Sequence, residues 1–363
     1  MTIIQPTDTE QTDIDAAAVE EFTFKIIETM TGGLLTALID IGRRTRLFEV
    51  ATAGPATSVE LAHSAGLQER YVREWLAAMA TAGIFEYNAD DRRFWLPSEH
   101  AAVLTGDTYE NLAPLAYFIS LINRQADAVA RCFTDGGGVP WAAYLPEVHE
   151  VFDVLWQPMY RDILVPHVLP LASGLVEKLE TGTRVADVAC GTGNGMLVMA
   201  RQFPRSTFVG YDHDADAIAV ANSRAAELSN VSFQVADAAT LTSDESFGAV
   251  FVFNAVHDQA RPLEALISIY SILEPGGFFL MDEPRISSNL EENIDNPLAP
   301  MLYSISLLHC MTVSLAEGGA GLGTGWGEQV ARQLLIDAGF GPVEVYDAPG
   351  DPSNAIFVTH RPD

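Results

Sequence analysis

The segment that most narrowly limits what this chain can fold into is Val185-Ala-Asp-Val-Ala189. It runs directly into Cys190-Gly-Thr-Gly-Asn-Gly195 and then into a helix from Met196 to Gln202. A short apolar strand followed by glycines at a strand-to-helix turn lets a ligand approach the backbone closely. From Arg184 onward, short apolar strands alternate with helical patterns, which predicts a parallel α/β sheet. The next strand, Thr207-Phe-Val-Gly-Tyr211, ends at Asp212. A third, Val231-Ser-Phe-Gln-Val235, is closed by Asp237, and a fourth, Ala249-Val-Phe-Val-Phe253, leads into Asn254-Ala-Val-His257-Asp258. Ligands of open α/β sheets sit outside the carboxyl ends of the strands, where these polar residues stand.

The loop spacing narrows the ligand. In Gly191-x-Gly193-x-Gly195 the last glycine of a dinucleotide fingerprint would fall on the bulky Met196, which argues against a nicotinamide cofactor. Asp187 lies four residues before the first glycine, placed to meet a cationic amino group. Asp212, 21 residues beyond Gly191, is placed to accept hydrogen bonds from both hydroxyls of a ribose, and Asp237 to meet an adenine amino group. Three acids with no dedicated basic residue suit a phosphate-free ligand that carries positive charge, and S-adenosylmethionine is one. The competing reading is that Asp212 and Asp237 cap the helices that follow them.

Charge excludes other partners. The 363 residues hold 49 Asp plus Glu against 20 Lys plus Arg, a formal net charge of −29, which repels phosphate backbones and anionic lipid. Nucleic acid and membrane are therefore not expected as partners. The first 24 residues carry no Lys or Arg, unlike a signal or transit peptide, and no apolar run reaches the roughly 18–20 residues of a membrane span. Three scattered cysteines without CxxC fit a reducing compartment, and the expected location is cytoplasmic.

Upstream, residues 1–21 are expected as a flexible tail. Helical spacing sets in from Thr31, with Leu34, Leu35, Leu38, Ile41, Leu47 and Val50 as core positions. Thr57 and Glu60 form a capping box for a helix over 59–64, ended by Gly66, and a second helix over 70–81 ends before Gly83. Two runs, 84–87 and 93–96, flank a polar turn and predict a hairpin. Residues 22–106 thus read as a winged helix. Its residues 40–100 hold seven Arg and nine acids, so packing against a partner subunit or covering an active site is expected rather than DNA binding. Residues 107–180 form an aromatic-rich helical connector and pocket wall, and 181–363 the sheet domain, with residues 284–325 inserted as a helical lid. The glycine-rich run from Gly318 to Gly327 lacks the GK[ST] of a phosphate loop and reads as a flexible hinge.

Taken together, the run Val185–Gly195, Asp212, Asp237-Ala238 and the later Leu273-Glu-Pro-Gly-Gly-Phe-Phe-Leu280 resemble a class I S-adenosylmethionine-dependent methyltransferase. The front resembles the dimerisation module of two-domain small-molecule O-methyltransferases of aromatic type. Gly138–Tyr144 and Tyr303–Leu315 resemble an actinobacterial subgroup of such enzymes. The resemblance covers nearly the whole chain. It implies a doubly wound, Rossmann-like seven-stranded sheet with the last strand antiparallel, a homodimer formed through the N-terminal domain, and S-adenosylhomocysteine as product. The implied cofactor residues are Asp187, Gly191, Thr192, Gly193, Gly195, Asp212, His213, Asp237, Ala238 and Asn254. Ala189 stands where the family pattern often has glycine.

The family of aromatic O-methyltransferases places a His-Asp pair after the fourth strand, the histidine acting as general base. His257-Asp258 matches, although the family's following tryptophan is Gln259 here. A phenol near pKa 10 is a poor nucleophile at neutral pH until a neutral imidazole takes its proton. The alternatives are that His257 merely starts the helix near Pro262 and that Asp258 caps it. Asp282 and Glu283 are further candidates. Trp141, Tyr144, His149, Tyr303 and His309 are expected to line the substrate pocket. No metal is expected, because the eight histidines show no HxxxH and Asp212–Asp216 lacks the downstream residues of a calcium loop. Rival functions are an N- or C-methyltransferase of a small molecule, and a cofactor-sensing winged-helix regulator.

Overall fold

Strands of the central sheet are apolar on both faces, as burial beneath helices on either side requires. Val185, Phe251, Phe278 and Leu280 point into one core, while Ala186, Val188, Val250, Phe279 and Met281 point into the other. The computed structural model describes residues 14–363, which fall into two units divided between Pro97 and Ser98.

In the second unit, seven strands form one sheet: β3 (Arg184–Val188), β4 (Thr207–Asp212), β5 (Val231–Val235), β6 (Phe247–Phe253), β7 (Leu273–Pro284), β8 (Glu344–Asp347) and β9 (Asn354–His360). Their spatial order is β5-β4-β3-β6-β7-β9-β8. β3 to β7 pair in parallel, and β9 runs antiparallel to both β7 and β8. The seven-stranded, doubly wound α/β sheet with an antiparallel last strand is thus as expected. Strand order reverses between β3 and β6, which places a ligand crevice over their carboxyl ends.

The first unit is built on the helix Ala16–Arg44, followed by helices Leu47–Ala51, Ser58–Ala65 and Glu69–Thr81 and a hairpin of β1 (Glu86–Asn88) and β2 (Arg93–Trp95). The Thr57–Glu60 capping box is present, and Gly66 ends its helix in the left-handed region. Trp75, Phe48 and Phe85 meet edge-on or tilted at its centre, and Trp75 Nε1 donates to Leu38 O at 2.8 Å. Residues 1–13, the greater part of the expected tail, lie outside the described residues. From Ala16 the chain is helical, because Asp15 caps the backbone of Ala17 and Ala18. Leu34 and Ile41, expected in the core, face outward with Phe22, Phe24, Ile27 and Met30. An apolar stripe reports a face to be covered, and none of the described residues covers this one.

Among the described residues, two helices, Ala16–Arg44 and Ala299–Ala316, are long and apolar enough to cross a membrane by length and composition, which corrects the expectation that no apolar run reaches that length. Isolated charges such as Lys25 and Glu28 break an uninterrupted run without offsetting its average. Core helices pass the same test, and 44% of the second is buried.

Connector and lid pack together within the second unit. Tyr117, Phe118, Tyr144 and Val148 of the connector share one cluster with Ile305, Leu307 and Val313 of the lid. Gly138 makes that fit: a Cβ there would lie 1.9 Å from Thr312 O. The glycine-rich run, expected as a flexible hinge, is pinned instead. Gly319 packs on Ala260, Ala320 N donates to Ala260 O and Gly323 N to His257 O. These glycines serve close backbone approach.

Candidate active site

On the rim over β3 to β5, the glycine turn is shaped by left-handed residues: Ala189 at φ 63°, Gly191 at 53° and Gly193 at 83°. Ala189 accepts a conformation that favours glycine, at a strained turn beside the crevice. Asp212 holds this turn open. Its Oδ2 accepts from Gly191 N and its Oδ1 from Asp214 N, both at 2.8 Å. Asp212 does not cap the next helix, because Asp214 does. Each carboxylate oxygen retains a further lone pair for a ligand hydroxyl.

Asp187 is 3% exposed, and its Oδ1 has no hydrogen-bond partner. Burial, then the neighbouring Asp212 charge, pushes its carboxyl well above the usual range. An orphaned buried carboxylate suits a cationic group, whose arrival would supply the missing partner. The residues present therefore fit the cofactor that the sequence implies. Asp237 is differently engaged: its side chain accepts from Ala239 N, capping the short turn that begins at Ala238, and pairs with Arg261 at 2.5 Å. Here the capping alternative applies. His213 is largely exposed, 3.5 Å from Asp212.

Thr192 and Asn194 side chains both donate to Asp153, which also pairs with Arg224. Asp153 thereby ties the connector helix Glu147–Met159 to the glycine turn. Gly195 lies in the following helix against the Tyr160 ring.

Over β6 and β7 the geometry centres on His257, which is 3% exposed. Nδ1 lies 2.5 Å from Glu283 Oε2, and the other oxygen of Glu283 accepts from Val256 N at 2.8 Å. Glu283, at the end of β7, fixes the ring, and Nε2 on its far side lies 3.2 Å from Asp258 Oδ1. That oxygen is buried and not aligned for a hydrogen bond. Burial disfavours charge on the imidazole, but Asp258 and Glu283 outweigh it and hold its pKa well above the ordinary value. Neither alternative for this pair holds: Arg261 occupies the cap position before Pro262–Ile272, with no side-chain cap.

Asn254 follows β6 in a left-handed conformation, φ 51°. Its amide donates to Asp282 Oδ2 at 3.4 Å and accepts from Asn354 at 3.0 Å. Burial, followed by Asp351 and Glu283, raises the Asp282 carboxyl.

Of the expected pocket residues, Tyr144, Trp141 and His309 come together. The His309 ring lies 4.7 Å from Tyr144 and 5.7 Å from Trp141, with Phe118 and Phe152 also around it. Burial keeps His309 below its ordinary pKa, and its Nε2 has no partner. Tyr144 is fully buried and donates to Leu308 O at 2.6 Å. His149 joins Trp141 through Asp214, whose Oδ2 is 2.9 Å from both side chains. Tyr303 stands elsewhere in the lid, packed with Ile286 and Leu302 and accepting from Asn293.

Sequence reasoning did not single out Asp153, Asp214 or Cys310, and it read Tyr160 only as one of the connector's aromatics. Tyr160 begins one π-helical turn and Cys310 ends another. Such turns concentrate at functional sites but leave no local sequence signature. Asp214 had one signal, an acid just before an apolar helix.

Comparison with known proteins agrees with this architecture. Residues 33–106 match the model of an Rv2258c-like winged HTH domain and residues 179–314 that of a methyltransferase domain. A fatty-acid O-methyltransferase of Mycolicibacterium smegmatis is 32% identical over 112 residues, 31% of this chain and 40% of that protein. The chain thus spans less than half the length of this curated relative. Two solved structures share the fold across nearly all of both chains. A Nostoc punctiforme protein assigned as an O-methyltransferase has a TM-score of 0.72 at 18% identity, covering 96% of this chain and 100% of the other. Human N-acetylserotonin methyltransferase in complex with SAM has a TM-score of 0.69 at 15% identity, covering 97% and 99%.

Proposed function

For a chain that belongs to the class I S-adenosylmethionine-dependent methyltransferases with an N-terminal winged helix, we propose methyl transfer to the hydroxyl oxygen of a small aromatic or hydrophobic molecule, with His257 as general base. The observation that carries this reading is the buried Glu283–His257 pair beside a crevice whose other rim holds the unpartnered carboxylate of Asp187. When bound, S-adenosylmethionine supplies an electrophilic methyl group on a sulfonium.

The chain's own residues do the rest. Asp187 meets the cationic amino end, and Asp212 accepts from the ribose hydroxyls. Gly191, Thr192, Gly193 and Gly195 admit the ligand to the backbone, with His213, Asp237 and Ala238 on the adenine side and Asn254 at the crevice floor. His257 accepts the acceptor's proton at Nε2, and Glu283, already accepting from Nδ1, stabilises the imidazolium that results. Asp258 and Glu283 raise the imidazole's pKa, and because His257 serves as base only when unprotonated, turnover falls as pH falls. Trp141, Tyr144, His149 and His309 wall the acceptor, which the lid over 284–325 covers, while Tyr303 braces the lid. Positioning accounts for the remainder of the rate.

Residues 22–106 form the dimerisation domain in this reading, with the exposed apolar face of Ala16–Arg44 covered by a second copy. In Glu69–Thr81, Arg70 and Arg73 pair with Glu74 and Glu69, which disfavours a nucleic-acid role. The expected location is cytoplasmic.

The test is transfer of labelled methyl from S-adenosylmethionine to a panel of phenols, with thermal shift by S-adenosylhomocysteine alongside. A ligand bound at 100 times its Kd adds about 2.7 kcal/mol to stability. No shift at millimolar ligand, with Asp212→Ala behaving as wild type, would overturn the cofactor reading. Labelled nitrogen or carbon products would overturn the hydroxyl acceptor.

A further inference from the structure

Three donors of different chemistry converge in the base pocket. A ring nitrogen of His257, a carboxylate oxygen of Asp258 and Cys310 Sγ all lie within 4.8 Å of one another, with His257 and Cys310 buried and Asp258 half-buried, and Nε2 is the ring nitrogen 3.2 Å from Asp258. His257 and Asp258 come from the loop after β6, Cys310 from the lid. The π-helical turn Ser306–Cys310 adds a residue to that turn of helix, and both His309 and Cys310 are buried, at 1% and 4% exposure. Cys310 is not a lone cysteine: its Sγ also lies 3.6 Å from His309 Nδ1.

We propose that this pocket binds one divalent cation of the zinc class through His257 Nε2, Asp258 and Cys310, and that the loaded pocket is catalytically silent.

Mixed nitrogen, oxygen and sulfur donors select a borderline-soft cation over magnesium or calcium. Bond lengths of about 2.0–2.3 Å in a tetrahedral zinc site hold donors roughly 3.3–3.8 Å apart, so these side chains need only a small closure. Two further features match a metal site. Glu283 on Nδ1 orients the ring so that Nε2 faces the other donors, as a carboxylate does behind a zinc-bound histidine. The buried Oδ1 of Asp258 lacks a hydrogen-bond partner, and a cation would satisfy it. On loading, the thiol proton of Cys310 and any proton on Nε2 are exchanged for the metal and pass to solvent. Silencing rests on the general-base reading, because the metal then occupies the lone pair that would take the acceptor's proton.

The test uses the full chain, freed of metal by a chelator and kept reduced with a phosphine. Cobalt chloride is expected to give a thiolate-to-cobalt charge-transfer band at one equivalent per chain, removed by competing zinc chloride. Cys310→Ser should lose the band, and Cys132→Ser should keep it. Asp258→Asn, which retains the thiol, should weaken cobalt binding at least about tenfold and serves if Cys310→Ser does not fold. Zinc should inhibit wild-type turnover, and Cys310→Ser should turn over without metal yet require at least about tenfold more zinc for inhibition. No charge-transfer band, or a band that survives in Cys310→Ser, overturns the site. A cobalt band with turnover untouched by zinc leaves the cation site standing and overturns both the silencing and the base role of His257.

Discussion

The two rims of the crevice are held by different kinds of contact. Over β3 to β5 carboxylates bind backbone N–H groups, Asp212 to Gly191 and Asp214, Asp214 to its own helix and Asp237 to Ala239, with Asp153 of the connector bracing Thr192 and Asn194. Over β6 and β7 each group is fixed by a residue remote in the chain. Glu283 holds His257, Asn354 holds Asn254, Thr312 Oγ1 accepts from Val139 N, and Leu308 O accepts from Tyr144. The first rim presents a backbone cradle lined by carboxylates. The second depends on the lid and connector fitting each other. A shared cofactor suits the first arrangement and a particular acceptor the second.

That contrast predicts separable losses. The largest is expected for His257→Ala, a fall in turnover of about 10²–10⁴-fold with S-adenosylhomocysteine affinity, measured by calorimetry, unchanged. Loss of cofactor affinity would show that the rims are not independent. Next comes Asp187→Asn, which removes a charged contact of about 1.5–3 kcal/mol and should weaken cofactor binding roughly 10- to 100-fold while sparing turnover at saturation. The same carboxyl makes binding depend on pH. Its pKa is raised in the empty site, so below that value it is protonated and must release a proton to meet a cation. Affinity should therefore fall as pH falls, with proton release on binding seen in buffers of different ionisation enthalpy. A flat profile would remove Asp187 from the cation's side.

Gly138→Ala should be smaller, because the added methyl pushes connector from lid at a cost of about 1–3 kcal/mol. Melting temperature should drop and acceptor KM rise, with cofactor affinity kept. The smallest effect is expected for Tyr303→Phe, which loses one hydrogen bond to Asn293 worth about 1 kcal/mol and should leave acceptor KM unchanged. A raised KM would bring Tyr303 into the pocket.

Legibility followed the same division. Strand, glycine turn and acid recur within short windows, so Asp187, Gly191 and Asp212 could be singled out from spacing, and the capping box at Thr57 likewise. The lid–connector fit could not, because Gly138 meets Thr312 across most of the second unit. Nor could the cation-binding cluster, since motif spacing finds ligands on one turn of helix whereas Asp258 and Cys310 meet only in three dimensions.

By itself the sequence determined the alternating α/β pattern, the winged-helix order and the chemistry offered at the strand ends, because each depends on residues within a few turns of one another. Only the tertiary structure decided that Glu283 rather than Asp258 holds His257 Nδ1, that Asp237 is engaged by its own turn and by Arg261, and that Leu34 and Ile41 face outward. Local periodicity shows that a side chain needs a partner. Which partner it finds is set by long-range packing, where burial, charge and shape must be satisfied together.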